Sequence, residues 1–140
     1  MKPSNKGIPS NLKEILQDAE SFEVYFQDVK FREERVYFKS EYLDFFADKV
    51  IKNVEYELKE CLLSTLLKDI KKGGEASRCW IPHHGIRAVC NNQIIEIAIC
   101  FECGWYRGQI LDEKFYGTFP SVGESESKII FDKIIEKDDH

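Results

Sequence analysis

Two apolar segments on either side of an Asn-Asn pair constrain the fold of this chain more than any other feature. Residues 85–90 and 94–100 are mostly β-branched or apolar, and Asn91-Asn92 separates them. Asparagine tolerates the positive φ angles that a two-residue hairpin turn requires. The sequence therefore predicts two antiparallel strands joined at Asn91-Asn92.

This turn fixes which residues of the hairpin oppose one another, because a slip of one residue would exchange the two faces of each strand. The preferred register sets apolar residues against apolar ones, in the pairs Cys90–Gln93, Ala88–Ile95, Arg87–Glu96, Ile86–Ile97 and His84–Ile99. Arg87 and Glu96 have opposite charges, and we expect them to pair on the exposed face. Extended by one step, the register sets His83 opposite Cys100.

Hydrophobic periodicity elsewhere predicts helices and further strands. The expected helices cover residues 11–19, residues 53–72 and a C-terminal segment starting at Ser125 or Ser127; the expected strands lie at 22–26, 36–38, 49–52 and 105–111, and 117–126 is expected to be a loop. Asn53 is the expected cap of the central helix, and Cys61 is expected to lie on its buried stripe.

These elements predict an α+β domain with a mainly antiparallel sheet of about four or five strands and helices packed on one face. The chain has 140 residues, 43% of them hydrophobic, which is enough for one core. We expect residues 1–10 to be a flexible N-terminal tail and 11–140 to form a single domain.

Charge and hydropathy narrow the functional classes. The net charge of −5 argues against nucleic-acid binding, and no apolar run is long enough for a membrane span. The N-terminus lacks the apolar stretch of a signal peptide, so we expect a cytoplasmic protein with mostly reduced cysteines. An unidentified protein is the class of partner that these features leave open.

The residues with the most distinctive chemistry meet at the open end of the hairpin. Cys100 and Cys103 form a C-x-x-C pair, and the predicted register brings Cys79 and His84 toward it. Structural zinc takes four nitrogen or sulfur ligands in a tetrahedron, so Cys79, His84, Cys100 and Cys103 form a candidate zinc site.

Three other interpretations compete with zinc. The C-x-x-C pair is also typical of thiol–disulfide exchange, although no helix pattern begins at Cys103 as in thioredoxin-like proteins. Cys100 could act as a nucleophile with His84 or His83 as its base. Finally, reduced cysteines often serve only as small apolar side chains in a core.

The segment 79–88, with sequence CWIPHHGIRA, and the segment 97–103, with sequence IAICFEC, resemble a family of uncharacterised bacterial proteins. The family's pattern is a Cys, then Pro-Arg-His-Gly/Ala-Ile-Arg, a hairpin, and Ile-Cys-Phe-x-Cys. The resemblance places Cys79, His84, Cys100 and Cys103 on motif positions, and His83 departs from the Arg that is usual there. It implies no reaction, substrate or cofactor.

The sequence as a whole therefore predicts a non-enzymatic binding or interaction domain whose Cys/His cluster binds zinc. The alternative is a thiol-dependent redox or nucleophilic enzyme that uses Cys100 and Cys103.

Overall fold

Six antiparallel strands form one sheet in a computed structural model that describes residues 12–26, 49–75, 83–110, 113–120 and 122–138. The strands are β1 (Ser21–Phe26), β2 (Lys49–Ile51), β3 (His84–Cys90), β4 (Gln93–Cys100), β5 (Trp105–Ile110) and β6 (Glu113–Thr118). Their order across the sheet is β2-β1-β3-β4-β5-β6, which places β4 between β3 and β5.

Three helices accompany the sheet within the described residues: α1 (Leu12–Gln17), α2 (Tyr56–Lys72) and α3 (Glu126–Asp138), with a 3-10 turn at Val122–Glu124. All three helices pack against the same face of the sheet and share one hydrophobic core with it. The largest fully buried side chains are those of Tyr106, Phe115, Phe119, Phe131, Leu12, Leu16, Leu62, Leu63, Leu66, Ile86 and Ile95. Each fully buried side chain of this kind stabilises the fold by about 1.5–3 kcal/mol. None of the described helices is long and apolar enough to cross a membrane.

The predicted α+β fold is confirmed, with six strands instead of four or five. The additional strand is β6, at the edge of the sheet, whose last two residues fall in the segment predicted to be a loop. Phe115 is buried and its ring lies over Gly108 of β5, where a Cβ would be only 2.2 Å from the ring. Only the inward-facing half of an edge strand carries apolar residues, so its pattern is weak. The strand predicted at 36–38 lies outside the described residues.

The central hairpin forms as predicted. Asn91 and Asn92 have φ angles of 51° and 65°, and every predicted pair from Cys90–Gln93 to His84–Ile99 is present. Two consecutive positive φ angles are typical of the tight turns that match the right-handed twist of paired strands.

Two details predicted for α2 are wrong. The helix begins at Tyr56 after Glu55, without a side-chain cap, so Asn53 does not cap it. Cys61 is exposed, while Leu62 and Leu63 beside it are buried. Successive residues are separated by about 100° around a helix, so a buried stripe centred on Leu66 includes Leu62 and Leu63 and leaves Cys61 outside the core.

The start of α3 is held by a carboxylate from α2. Asp69 is 2% exposed and accepts hydrogen bonds from the hydroxyl of Ser125 at 2.9 Å and the backbone N–H of Ser127 at 2.9 Å. A negative charge at a helix N-terminus satisfies free N–H groups and is favoured by the helix dipole. This contact connects the end of one helix to the start of the other.

Candidate functional site: the Cys100–Gly104 turn

The chain makes one tight turn between β4 and β5, and this turn contains the C-x-x-C pair. Gly104 donates its backbone N–H to the carbonyl oxygen of Cys100 at 2.9 Å, and Gly104 has a φ angle of 78°. In a continuous strand, residues three apart would point to opposite faces. The turn instead brings the Cα atoms of Cys100 and Cys103 to 5.1 Å, and a disulfide joins the two residues.

The disulfide lies inside the protein. Cys100 is 0% exposed and Cys103 is 1% exposed, and the backbone N–H of Cys103 donates to Sγ of Cys100 at 3.1 Å. Cys61 and Cys90 are free. The C-x-x-C pair therefore departs from the expectation of mostly reduced cysteines.

Phe101, the residue after the first cysteine, anchors the turn in the core. It is 3% exposed, and its ring centroid lies 5.2 Å from that of His84, 5.5 Å from that of Phe119 and 5.8 Å from that of Phe131. Phe119 also donates its backbone N–H to the carbonyl oxygen of Gly104 at 2.8 Å. The turn is therefore held by side-chain packing from the helical layer and by a backbone hydrogen bond to the segment after β6.

His84 belongs to the helix-covered side of the sheet. It pairs with Ile99, so strand alternation places its side chain on the face opposite to that of Cys100. The imidazole is 6% exposed, and rings of Phe26, Phe101 and Phe131 surround it at 5.2–5.5 Å. The pairing ends at His84, so the predicted opposition of His83 and Cys100 lies beyond the ladder.

Among the described residues, only one nitrogen of His84 has a polar partner. Nε2 lies 3.4 Å from Oδ1 of Asp132, and Lys128 donates to the other oxygen of Asp132 at 2.8 Å. Nδ1 is buried without a hydrogen-bond partner among the described residues. Burial lowers the pKa of His84, against the opposing effect of Asp132, and the hydrogen bond from His84 lowers the pKa of Asp132. The pair is therefore arranged around a neutral imidazole.

The predicted zinc ligands are not all described. Cys100 and Cys103 are together, His84 is on the other face of the sheet, and Cys79 lies outside the described residues. Across the part of the chain that the structure describes, no three His, Cys, Asp or Glu side chains are placed to hold a metal ion. Sulfurs bonded to each other are not thiolates, so zinc at this turn requires the reduced form.

The face that carries Cys100 also contains one buried and two half-buried charged side chains, although the sequence predicts an exposed pair at Arg87 and Glu96. Arg87 donates to Glu96 at 3.0 Å and to the hydroxyl of Tyr25 at 2.8 Å, but Glu96 is only 3% exposed, so the expected exposed pair is a buried one. Arg107 lies over the ring of Trp105 at 4.3 Å, and burial lowers the pKa of Arg107. The nearly continuous apolar run of β4 from Ile94 to Cys100, interrupted only by Glu96, is the signal that could have indicated this second buried face.

Comparison with protein-family models, with curated proteins and with solved structures finds no match for this chain.

Proposed function

We propose that this protein is a redox-responsive binding domain in which Cys100 and Cys103 alternate between a dithiol and a disulfide. The observation that carries the proposal is the disulfide between Cys100 and Cys103. The turn at the end of a central strand brings these two cysteines close enough to form it. The N–H of Cys103 that points at Sγ of Cys100 is suited to both states, since it can stabilise a thiolate when the bond opens.

The burial of the pair favours a switch over an oxidoreductase that turns over protein substrates. A catalytic disulfide presents at least one sulfur to its substrate, whereas both sulfurs here are at most 1% exposed. Exchange with a small thiol then requires local opening of the turn, which also moves Phe101 relative to His84 and Phe131. A change in sulfur chemistry is thereby linked to the packing between the sheet and α3.

The test is a redox titration of the whole chain in buffers of reduced and oxidised glutathione. After quenching and alkylation, mass spectrometry measures the fraction of Cys100–Cys103 disulfide at each ratio. We expect one transition with the same midpoint from the reduced and the oxidised starting protein. A bond that never re-forms after reduction, or that no glutathione ratio opens, would contradict the proposal.

Matched variants separate this pair from the free cysteines. The double variant Cys61→Ser/Cys90→Ser should keep the transition, because both residues are free in the structure. Cys100→Ser and Cys103→Ser should each abolish it. A binding function also predicts that a captured partner differs in affinity between the two redox states, with Cys100→Ser resembling the reduced state.

A zinc site in the reduced protein is a second candidate. It is favoured by the single turn that holds both sulfurs and by the N–H···S hydrogen bond, which also suits a metal-bound thiolate. The proposed set needs Cys79 and one further ligand, for which His84 would have to turn from its place beside Phe131. Elemental analysis after purification under reducing conditions should give about one zinc per chain, and Cys79→Ser should lose it. Metal-free reduced protein with unchanged thermal stability in chelator would exclude this candidate.

A further inference from the structure

The two sulfurs of the turn have different surroundings. Sγ of Cys100 accepts the backbone N–H of Cys103 at 3.1 Å, whereas no described donor makes a hydrogen bond to Sγ of Cys103. The carbonyl oxygen of Cys100 accepts the backbone N–H of Gly104 at 2.9 Å, so the turn that provides this donor also has a backbone hydrogen bond that does not depend on the S–S bond. A hydrogen bond to an ionised group is stronger than one to a neutral group, so this donor favours thiolate at Cys100.

Nearby charges act in the same direction. Cys100 pairs with Trp105, which makes Arg107 its diagonal neighbour on the same face of the sheet, at a Cα separation of roughly 7–8 Å. Glu102 is exposed and directly precedes Cys103 in the chain, so its negative charge acts mainly against ionisation of Cys103. Glu96 lies four residues back along β4, about 13 Å away, and is paired with Arg87.

From this asymmetry we infer that Cys100 is the sulfur that exchanges with an external disulfide and that Cys103 is the resolving thiol. The inference rests on the proposed function and assigns separate roles to the two cysteines. Nucleophilicity falls less steeply than thiolate fraction rises as a thiol becomes more acidic, so the more ionised sulfur reacts faster at neutral pH.

The exchange balances with oxidised glutathione as the oxidant. The thiolate of Cys100 attacks one glutathione sulfur, an S–S bond forms, and the other glutathione leaves as a thiolate. The thiolate of Cys103 then attacks Sγ of Cys100 and expels the second glutathione. Two electrons pass from the protein to glutathione, and the protons of the two protein thiols end on two glutathione molecules. Reduction runs through the same mixed disulfide at Cys100 in reverse.

The test uses the wild-type chain, reduced without added thiol and alkylated with iodoacetamide over a range of pH. Fragment-ion mass spectrometry assigns each alkyl group to Cys100 or Cys103. We expect the pH midpoint of alkylation for Cys100 to be at least about one unit lower than that for Cys103, equivalent to a tenfold difference in thiolate at a given pH. The midpoint, unlike the rate, does not depend on how accessible each sulfur is.

Two variant pairs sharpen the assignment. With oxidised glutathione, Cys103→Ser should accumulate the mixed disulfide at Cys100, and Cys100→Ser should form several-fold less at Cys103. Arg107→Gln should raise the alkylation midpoint of Cys100, and Glu102→Gln should lower that of Cys103. Equal midpoints, or a lower one for Cys103, would overturn the assignment even if the glutathione titration is reversible. A failed titration with unequal midpoints would instead count against the switch alone.

Discussion

The two ends of β4 are both turns, but they are stabilised in different ways. At the start, Asn91 and Asn92 are exposed and adopt φ angles of 51° and 65°. Ile94, the second residue of β4, is 51% exposed. At the end, the segment from Cys100 to Gly104 contains a disulfide and a phenylalanine that is only 3% exposed. One turn depends on local backbone preference, and the other depends on packing against distant segments.

The two turns therefore differ in how strongly a local change would reach the core. A turn specified by two asparagines can vary without disturbing the core, because little is buried on it. A turn that inserts Phe101 between His84, Phe119 and Phe131 transmits any local change to the helical layer. The disulfide lies at this second turn, so the proposed redox switch would act on the packing of the core.

The largest expected effect is that of Phe101→Ala. Removing a buried ring leaves a cavity, and such substitutions cost about 3–5 kcal/mol of the free energy of unfolding. The matched control at the other end of β4 is Ile94→Ala, which we expect to change stability by less than about 0.5 kcal/mol since the residue is exposed. Urea unfolding of both variants with the disulfide intact measures the difference. Equal destabilisation of the two would show that the ends of β4 do not differ as described.

A smaller effect is expected from Gly104→Ala. Gly104 has a φ angle of 78°, and an L side chain in the left-handed region costs about 1–2 kcal/mol. Gly123 is the matched control, because its φ is not in that region and a Cβ there meets nothing within 4 Å. Thermal unfolding should show a lower melting temperature for Gly104→Ala and little change for Gly123→Ala. If Asn92→Ala at the exposed turn cost more than Gly104→Ala, the buried turn would not be the more constrained of the two.

The sequence alone is sufficient to predict the turn at the start of β4. Asn91-Asn92 and the alternation around Arg87 and Glu96 set the hairpin register, because pairing across a tight turn depends on nearest neighbours. What could not be predicted is where the second face of the sheet is buried, since that depends on segments far apart in the chain. For this reason the prediction that Glu96 is exposed is wrong. The prediction that Cys61 is buried is wrong for a related reason, because an offset of one residue on a helix decides which side chain faces the core.

At the candidate site, the sequence predicted that Cys100 and Cys103 come together but did not predict that they are bonded. A C-x-x-C spacing fits zinc, exchange and packing equally well, and only the turn geometry distinguishes bonded from separate sulfurs. The predicted register already indicates that His84 is separated from the sulfurs. His84 pairs with Ile99, and Ile99 and Cys100 are consecutive in β4, so the imidazole and the Cys100 side chain point to opposite faces of the sheet. The zinc ligand set remains a prediction because Cys79 lies outside the described residues.

The smallest expected effect is a dependence of stability on pH at the imidazole that packs on Phe101. Burial lowers the pKa of His84, so below about pH 6.5 the unfolded chain takes up a proton before the folded one does. The free energy of unfolding should therefore fall as the pH decreases from about 6.5 toward the lowered pKa of His84, by at most about 1.4 kcal/mol per pH unit. The pKa of Asp132 is also lowered, chiefly by its hydrogen bond from His84, so Asp132 acts in a separate window below about pH 4. Urea unfolding between pH 7.5 and 5 measures the slope, and His84→Gln should flatten it. His83→Gln should change the slope much less, since the charge of His83 is the smallest of the effects that lower the pKa of His84. If the slope survived in His84→Gln, the neutral imidazole would not be its source, and the coupling of this turn to α3 would rest on Phe101 alone.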